Sequence, residues 1–524
     1  MHRLTFSALG AALAAALLVS QPAAAQSRLK EIKDADTRAW WSITEALSGD
    51  EMEGRDTGSP GHEKAAQLVA KRFARAGLKP AGDDGTWFQA IPLHEVAVPK
   101  AGAAFRLVRS DGGEVPLSFL HEISLRPADD TPTAIDAPLA FRGYCAPADL
   151  TEVAGKIVVC FNTRRAGMTT GAQRIRAAQA AGAVGAVQVD DPHFTIEPFR
   201  WPQAYARTVT FADARPAAGG GFVAMTLSAT AFEKMLAGSG QDARAILDAG
   251  GARQPLPAFE IPARLQARLT VDKRDYSSKN VIGVLPGTDP LLSPEHVVLT
   301  AHLDGYGHGE PVAGDGLYNG TLDDAAYVAL LTRLAERRKG KGFKRSVIFA
   351  VVTGEEKGLL GSTWYVRHPT RPLADTVAVL NLDQLRPLYP LKVLTTLAVD
   401  DTSLGGVARR LAPAGVEVRP DLEPERGLLT RSDHWPFMQA GIPGISFIFG
   451  FDPGTEAEAR YREWYQTRYH RPQDDIGQPM DFEAARDFNT FWYALVQAVA
   501  DDPERPSWTP GSPLAPKPPQ STGR

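Results

Sequence analysis

Ser346-Val347-Ile348-Phe349-Ala350-Val351-Val352-Thr353-Gly354-Glu355-Glu356 is the stretch on which the fold turns. Six apolar residues closed by Thr353-Gly354 read as a strand buried on both faces. Two adjacent carboxylates follow at its carboxyl end. Working outward, Val281–Leu285, Val297–Ala301, Val377–Leu382 and Ile445–Phe449 read as further strands of this kind. Helical spacing appears between and after them, over Ala325–Arg338, Leu360–Arg367, about Leu404–Leu411, and Phe482–Val499. Short apolar runs alternating with helices predict an α/β fold: a mixed, mainly parallel sheet with helices on both faces.

In such a sheet, ligands bind beyond the carboxyl ends of the strands. His302 follows Val297–Ala301, Glu355-Glu356 follows Ser346–Val352, and Asp383 follows Val379-Leu380-Asn381-Leu382. Asp323 is read as opening a helix, where the dipole favours a carboxylate. His470 lies in the loop before the last helix. Any one of these alone reads as an ordinary loop carboxylate or a satisfied histidine. Together, carboxylates and imidazoles without thiolate suit borderline or hard divalent metals, zinc foremost. Two metals held roughly 3.5–4 Å apart can activate a water and polarise a carbonyl, so metal-assisted hydrolysis is expected. A serine hydrolase is disfavoured because no G-x-S-x-G occurs, and neither H-E-x-x-H nor its inversion is present.

The rest of the chain frames that half. Arg3, the apolar run Ala8–Val19 and Ala23-Ala24-Ala25 read as a cleaved export signal over residues 1–25. The expected destination is the periplasm or the medium, with no membrane anchor after cleavage. Lys plus Arg number 57 against 61 Asp plus Glu, so no basic surface for nucleic acid is expected. Residues 26–100 hold a helix introduced by Gly58-Ser59-Pro60-Gly61 and ended by Gly77, then an edge strand over Trp87–Leu93. Residues 101–269 alternate strand-like runs with turns and carry no ligand cluster, which predicts a separate β-rich module. Cys145 and Cys160 lie within it, as two buried thiols or one local bridge. Residues 270–502 form the α/β half. The segment 503–524 carries seven prolines and two large apolar residues, and is expected to be a disordered or loosely docked extension.

Five segments then carry a resemblance: Ala301-His302-Leu303-Asp304, Asn319–Ala326, Thr353-Gly354-Glu355-Glu356-Lys357-Gly358, Asn381-Leu382-Asp383 and Tyr469–Asp475. Their order resembles that of the M28 metallopeptidases, di-zinc exopeptidases with a phosphorylase/hydrolase-like α/β core. The middle module, with Gly155–Val159 and Ala177–Val187, resembles a protease-associated (PA) domain. The resemblance implies two zinc ions per chain, with Asp323 bridging, His302 and Asp383 completing one site, and Glu356 and His470 the other. Glu355 would be the general base, and peptides the substrates. Tyr469 matches a position that in some relatives donates to the tetrahedral oxyanion, and core packing explains it equally well. Asp304 would orient the His302 imidazole. Ala326 and Leu322 depart from the family's usual residues without touching a ligand position. His434 competes for the last ligand role, and the resemblance favours His470. His308 reads as a loop residue.

An aminopeptidase is the leading expectation. A carboxypeptidase of the same fold would need a cation for the substrate carboxylate, with Arg386, Arg426 and Arg431 available. A glutaminyl-cyclase-like acyltransferase would have lost one site's ligands, and a non-catalytic PA-domain binding protein would have lost ligands or base. All six residues are present.

Overall fold

The computed structural model describes residues 27–165, 167–213, 219–383 and 385–516, so the expected signal over residues 1–25 lies outside the described residues. Ten strands form the larger sheet. They are β1 (Lys79–Pro80), β2 (Phe88–Val98), β3 (Ala206–Phe211), β4 (Asp272–Leu285), β5 (His296–His302), β6 (Ser346–Val352), β7 (Thr376–Asn381), β8 (Val393–Leu397), β9 (Glu417–Arg419) and β10 (Gly444–Gly450). Their order is β9-β8-β10-β7-β5-β6-β4-β2-β3, with β1 beside β4. The central four, β10-β7-β5-β6, are parallel, and antiparallel pairings extend the sheet on both flanks.

Strand alternation divides the core in two. Val347, Phe349 and Val351 of β6 pack with Val297 and Leu299 of β5 into one hydrophobic layer. Helices α1 (Ala35–Ser48), α2 (Pro60–Ala76), α3 (Ala326–Arg337) and the long carboxyl-terminal helix Phe482–Asp501 cover that layer. Ile348, Ala350 and Val352 point the other way, onto Tyr365 of α4 (Leu360–Arg367) and Phe437. Both faces are therefore dry, which is why β6 could be an uninterrupted apolar run. Helix α2 starts where Ser59 accepts from His62 N at 3.1 Å, and it stops at Gly77, whose φ of 87° suits glycine. Among the described residues no helix is long and apolar enough to cross a membrane.

A second sheet of eight strands, all between Ala103 and Leu269, has its own core around Phe105, Phe141, Val159 and Leu265. It carries the helix Gly171–Ala180 and a Cys145–Cys160 disulfide. One strand from this part of the chain, β3, leaves that sheet and pairs with β2. The strand expected at the edge of the larger sheet is therefore covered. Pro92 lies just past the last β2–β3 pair, so its missing N–H forfeits no bond there. Of the two readings of the tail, disorder does not hold for the described residues 503–516, which dock on the rest of the chain. Trp508 Nε1 donates to Gly441 O at 2.9 Å, Ser512 Oγ to Asp401 Oδ1 at 2.7 Å, and the buried Arg345 to the carbonyls of Pro503 and Glu504. Polar anchoring of this kind leaves no hydrophobic pattern to read.

Candidate metal centre

Four of the five candidate ligands, and Glu355 with them, come from the loops that the parallel strands and α3 deliver to one end of the sheet. His302 closes β5, Glu355-Glu356 follows β6 across Thr353-Gly354, and Asp383 follows β7. Asp323 does not open a helix as expected. It lies in an irregular turn, Thr321–Ala325, at φ −129° and ψ 76°, and the regular helix starts only at Ala326. Bonding to neighbours shapes that turn. Leu322 N and Asp323 N both donate to the Asp474 carboxylate, at 2.9 and 3.0 Å. Gly320 begins the turn at φ 59°, where a Cβ would lie 2.4 Å from Asp323 O. His470 follows the helix Glu456–Thr467 and holds φ at 54°, a strained conformation for a non-glycine residue that concentrates at functional sites.

Ligand-type atoms of His302, Asp323 and Asp383 lie within 4.8 Å of one another, and so do those of Asp323, Glu356 and His470. Asp323 belongs to both groups. Its Oδ1 is 3.4 Å from His302 Nε2 and its Oδ2 is 3.3 Å from His470 Nε2, which is also 3.3 Å from Glu356 Oε2. His302 Nε2, Asp323 Oδ2 and Glu356 Oε1 are buried without a hydrogen-bond partner. Buried polar atoms are rarely left so, and these converge on the two groups. Burial, reinforced by repulsion among the carboxylates, raises Glu355, Glu356 and Asp383 above the ordinary carboxylate range. Burial pulls the His470 imidazole down to about 3, so it stays neutral and free to ligate. Divalent charge relieves such crowding of anions. The donor set therefore fits two divalent cations, zinc among them.

Neighbouring groups fix the ligands. His302 Nδ1 faces the backbone carbonyl of Asp304 at 3.0 Å, and Ser432 Oγ donates to Asp383 Oδ2 at 2.6 Å. The Tyr306 hydroxyl lies 2.8 Å from His470 Nδ1. Asp304 thus orients the imidazole through its carbonyl. Its carboxylate serves instead to accept from Glu355 N at 3.1 Å and Thr57 Oγ1 at 3.0 Å. Arg55, fully buried, donates to Leu303 O, Leu47 O, Asn319 O and Gly320 O, pinning the loops that carry His302 and Asp323. Ser432, Tyr306 and Arg55 stand outside the five motif segments, and Asp474, though within Tyr469–Asp475, gives no local sign of its bonds to Leu322 and Asp323; these roles arise from contacts between distant segments.

The remaining candidates separate. His434 is buried, outside both groups, and burial lowers it to about 3. His308 is exposed on a hairpin. Arg386 lies beneath the site, donating to the carbonyls of Leu322, Asp383 and Leu385. Arg426 and Arg431 both meet Glu197, a buried residue of the middle region, at 3.6 and 2.9 Å. Arg431 also donates to the Tyr469 hydroxyl at 3.2 Å. Tyr469 is nearly buried yet lines, with Glu355, Glu356 and His470, a cavity of about 510 Å³.

Residues 280–496 match the model of Peptidase family M28, and residues 128–222 match that of the PA domain. Leupeptin-inactivating enzyme 1 of Streptomyces exfoliatus is 29% identical over 237 residues, which are 43% of this chain and 50% of that protein. The chain spans half or less of the first curated relatives it matches. The aminopeptidase of Aneurinibacillus sp. strain AM-1 superposes with a TM-score of 0.60 at 18% identity, covering 90% of this chain and 96% of that one. For BSAP, a zinc aminopeptidase from Bacillus subtilis, the TM-score is 0.55 at 20% identity, with 89% and 95% covered. These likenesses show a shared fold over both sheets. Residues 280–496 thus form a region of the peptidase family M28 type, with a PA-domain region lying ahead of it in the chain.

Proposed function

We propose that the protein is an exported zinc aminopeptidase holding two zinc ions. The observation that carries this is the sharing of Asp323 between two complete ligand groups, His302–Asp323–Asp383 and Asp323–Glu356–His470. The zinc named for a structural neighbour agrees with the donor set. When bound, such metals supply Lewis acidity and lower the pKa of water.

The protein's own groups then divide the work. Glu355 is beside the ligands, its Oε2 4.0 Å from His302 Nε2, and its backbone is held by Asp304. It accepts the proton of the attacking water and returns it to the leaving amine. Tyr469, its hydroxyl oxygen occupied by Arg431, keeps its proton for the carbonyl oxygen that becomes anionic. A free α-amine is favoured at the carboxylate side of the cavity, where Glu355 and Glu356 stand. Of the arginines considered for a carboxypeptidase, Arg386 and Arg426 are buried and already engaged. Retention of both ligand groups disfavours the single-metal acyltransferase and the non-catalytic reading. The Cys145–Cys160 disulfide supports an oxidising compartment outside the cytoplasm.

Elemental analysis should find about two zinc ions per chain, with activity lost on chelation and restored by zinc. Acetylating the α-amine of a susceptible peptide should abolish cleavage, while amidating its carboxyl end should still permit it. The reverse pattern would make the protein a carboxypeptidase, and one metal or none with full activity would refute the two-zinc reading.

A further inference from the structure

The cavity over the metal ligands continues onto the smaller sheet. Arg126, at the end of the strand Ile123–Arg126, lines both this cavity and a second one of about 590 Å³. Thr170 and Gly171, where the helix Gly171–Ala180 starts, also line the second cavity. Its wall carries Arg164 and Arg165, and among its described lining residues Glu425 is the one carboxylate. In the first cavity the carboxylates are Glu355 and Glu356, both committed to the metal centre, whereas Arg431 is on the wall.

The charges behind these walls do not cancel. Glu197 is buried and meets four guanidinium groups: Arg431 at 2.9 Å, Arg164 at 3.2 Å, and Arg200 and Arg426 at 3.6 Å each. One negative charge is set against four positive ones. Arg426 has a further carboxylate, Glu423, at 3.8 Å, and Arg165 has Asp191 at 3.4 Å. Arg164 and Arg431 keep 38% and 36% of their side chains exposed despite their contact with Glu197, so their surplus charge faces the cavities. Arg126 is exposed. A surplus of guanidinium groups in a partly enclosed channel selects carboxylates, which it can hold through paired N–H donors.

We propose that this channel is a subsite for a carboxylate on the leaving side of the peptide, supplied by an acidic side chain or by a free carboxyl terminus a few residues beyond the cleaved bond. The proposal rests on the peptidase reading and adds the substrate class: short or acidic peptides. An extended chain advances about 3.3 Å per residue, so a peptide anchored at the metal ligands can run along the channel past Arg431 and Arg126.

Four peptides with a free amine test this, carrying Glu or Gln at the third residue and ending in an acid or an amide. With zinc-loaded enzyme at low ionic strength, a carboxylate-bearing member should show a KM about tenfold below its neutral partner, and salt should shrink that ratio. Whether the Glu/Gln pair or the acid/amide pair separates identifies the source of the carboxylate. Arg126→Glu should bring the ratio to one or invert it. This variant decides the matter because it leaves the Glu197 cluster intact, whereas Arg164→Gln disturbs it. Equal KM values for all four peptides, or a ratio that survives Arg126→Glu, would overturn the proposal. If zinc-loaded protein cleaves none of them, the peptidase reading itself fails. Fluorescence anisotropy of the same peptides, labelled, then still reads the subsite through the same ratios.

Discussion

Adjacent residues Glu355 and Glu356 have different surroundings, and single substitutions should expose this. Glu356 Oε2 is 3.3 Å from His470 Nε2 within a ligand group, whereas Glu355 belongs to neither group. Glu355→Gln keeps the shape but cannot take a proton, so turnover should fall at least ~10²-fold with zinc content retained. Glu356→Gln should lower zinc content instead. Swapped phenotypes would reverse the two assignments. Tyr306 tests the support of a ligand rather than a ligand. Its hydroxyl is the partner of His470 Nδ1, so Tyr306→Phe should weaken zinc binding by about 10- to 100-fold. Competition against a graded chelator measures this, and unchanged affinity would remove Tyr306 from the account.

At the scale of elements, the turn Thr321–Ala325 is held by two segments far from it in sequence. Asp474 takes the N–H groups of Leu322 and Asp323, and Arg55 takes the Gly320 carbonyl. Asp474→Ala would leave two buried N–H groups unpartnered, at about 1–3 kcal/mol each. The expected outcome is a lower Tm together with lower zinc content, because the same turn carries Asp323. Thermal unfolding with and without chelator separates the two effects. A variant with normal zinc content would show that the turn keeps its shape without Asp474. This device was invisible in the sequence, where Asp323 read as the start of a helix. The periodicity of Ala325–Arg338 was visible, but a carboxylate just ahead of it looks the same in a cap and in an irregular turn.

For the whole molecule, the question is what joins the middle region to the peptidase half. One connection is β3, which extends the larger sheet. Another is Glu197, clamped by Arg426 and Arg431 from the peptidase half and by Arg164 and Arg200 from its own region. Burial alone would raise its carboxyl, but the guanidinium groups outweigh that and hold it well below the ordinary range. A depressed native pKa means a stabilising contribution that is complete above the unfolded value near 4.3 and is lost as pH falls toward the native one. Glu197→Gln leaves buried cations uncompensated and should cost about 3–5 kcal/mol at neutral pH. It should also flatten the loss of Tm on acidification. Because Arg431 reaches Tyr469, turnover should fall as well, although Glu197 belongs to neither candidate ligand group. Unchanged stability and turnover would show that the two regions are joined by β3 alone.

The sequence by itself determined the four central parallel strands, their two-sided burial and the carboxylates and imidazoles that stand near their ends. Each rests on a local pattern: apolar runs such as Val347–Val352, and carboxylates or imidazoles placed just past them. It also determined the boundaries of α2, since Ser59, Pro60 and Gly77 act on their own neighbours. Only the tertiary structure decided that Asp323 is carried on an irregular turn, that β2 is covered by β3, and that Arg386 is buried beneath the site. The same holds for the anchored segment after Asp502 and for Glu197 behind Tyr469. These depend on pairings between segments distant in the chain, such as Arg55 with Gly320 or Glu197 with Arg431. Such pairings leave no periodicity in either partner, because their hydrogen bonds and charges meet only when the chain has folded.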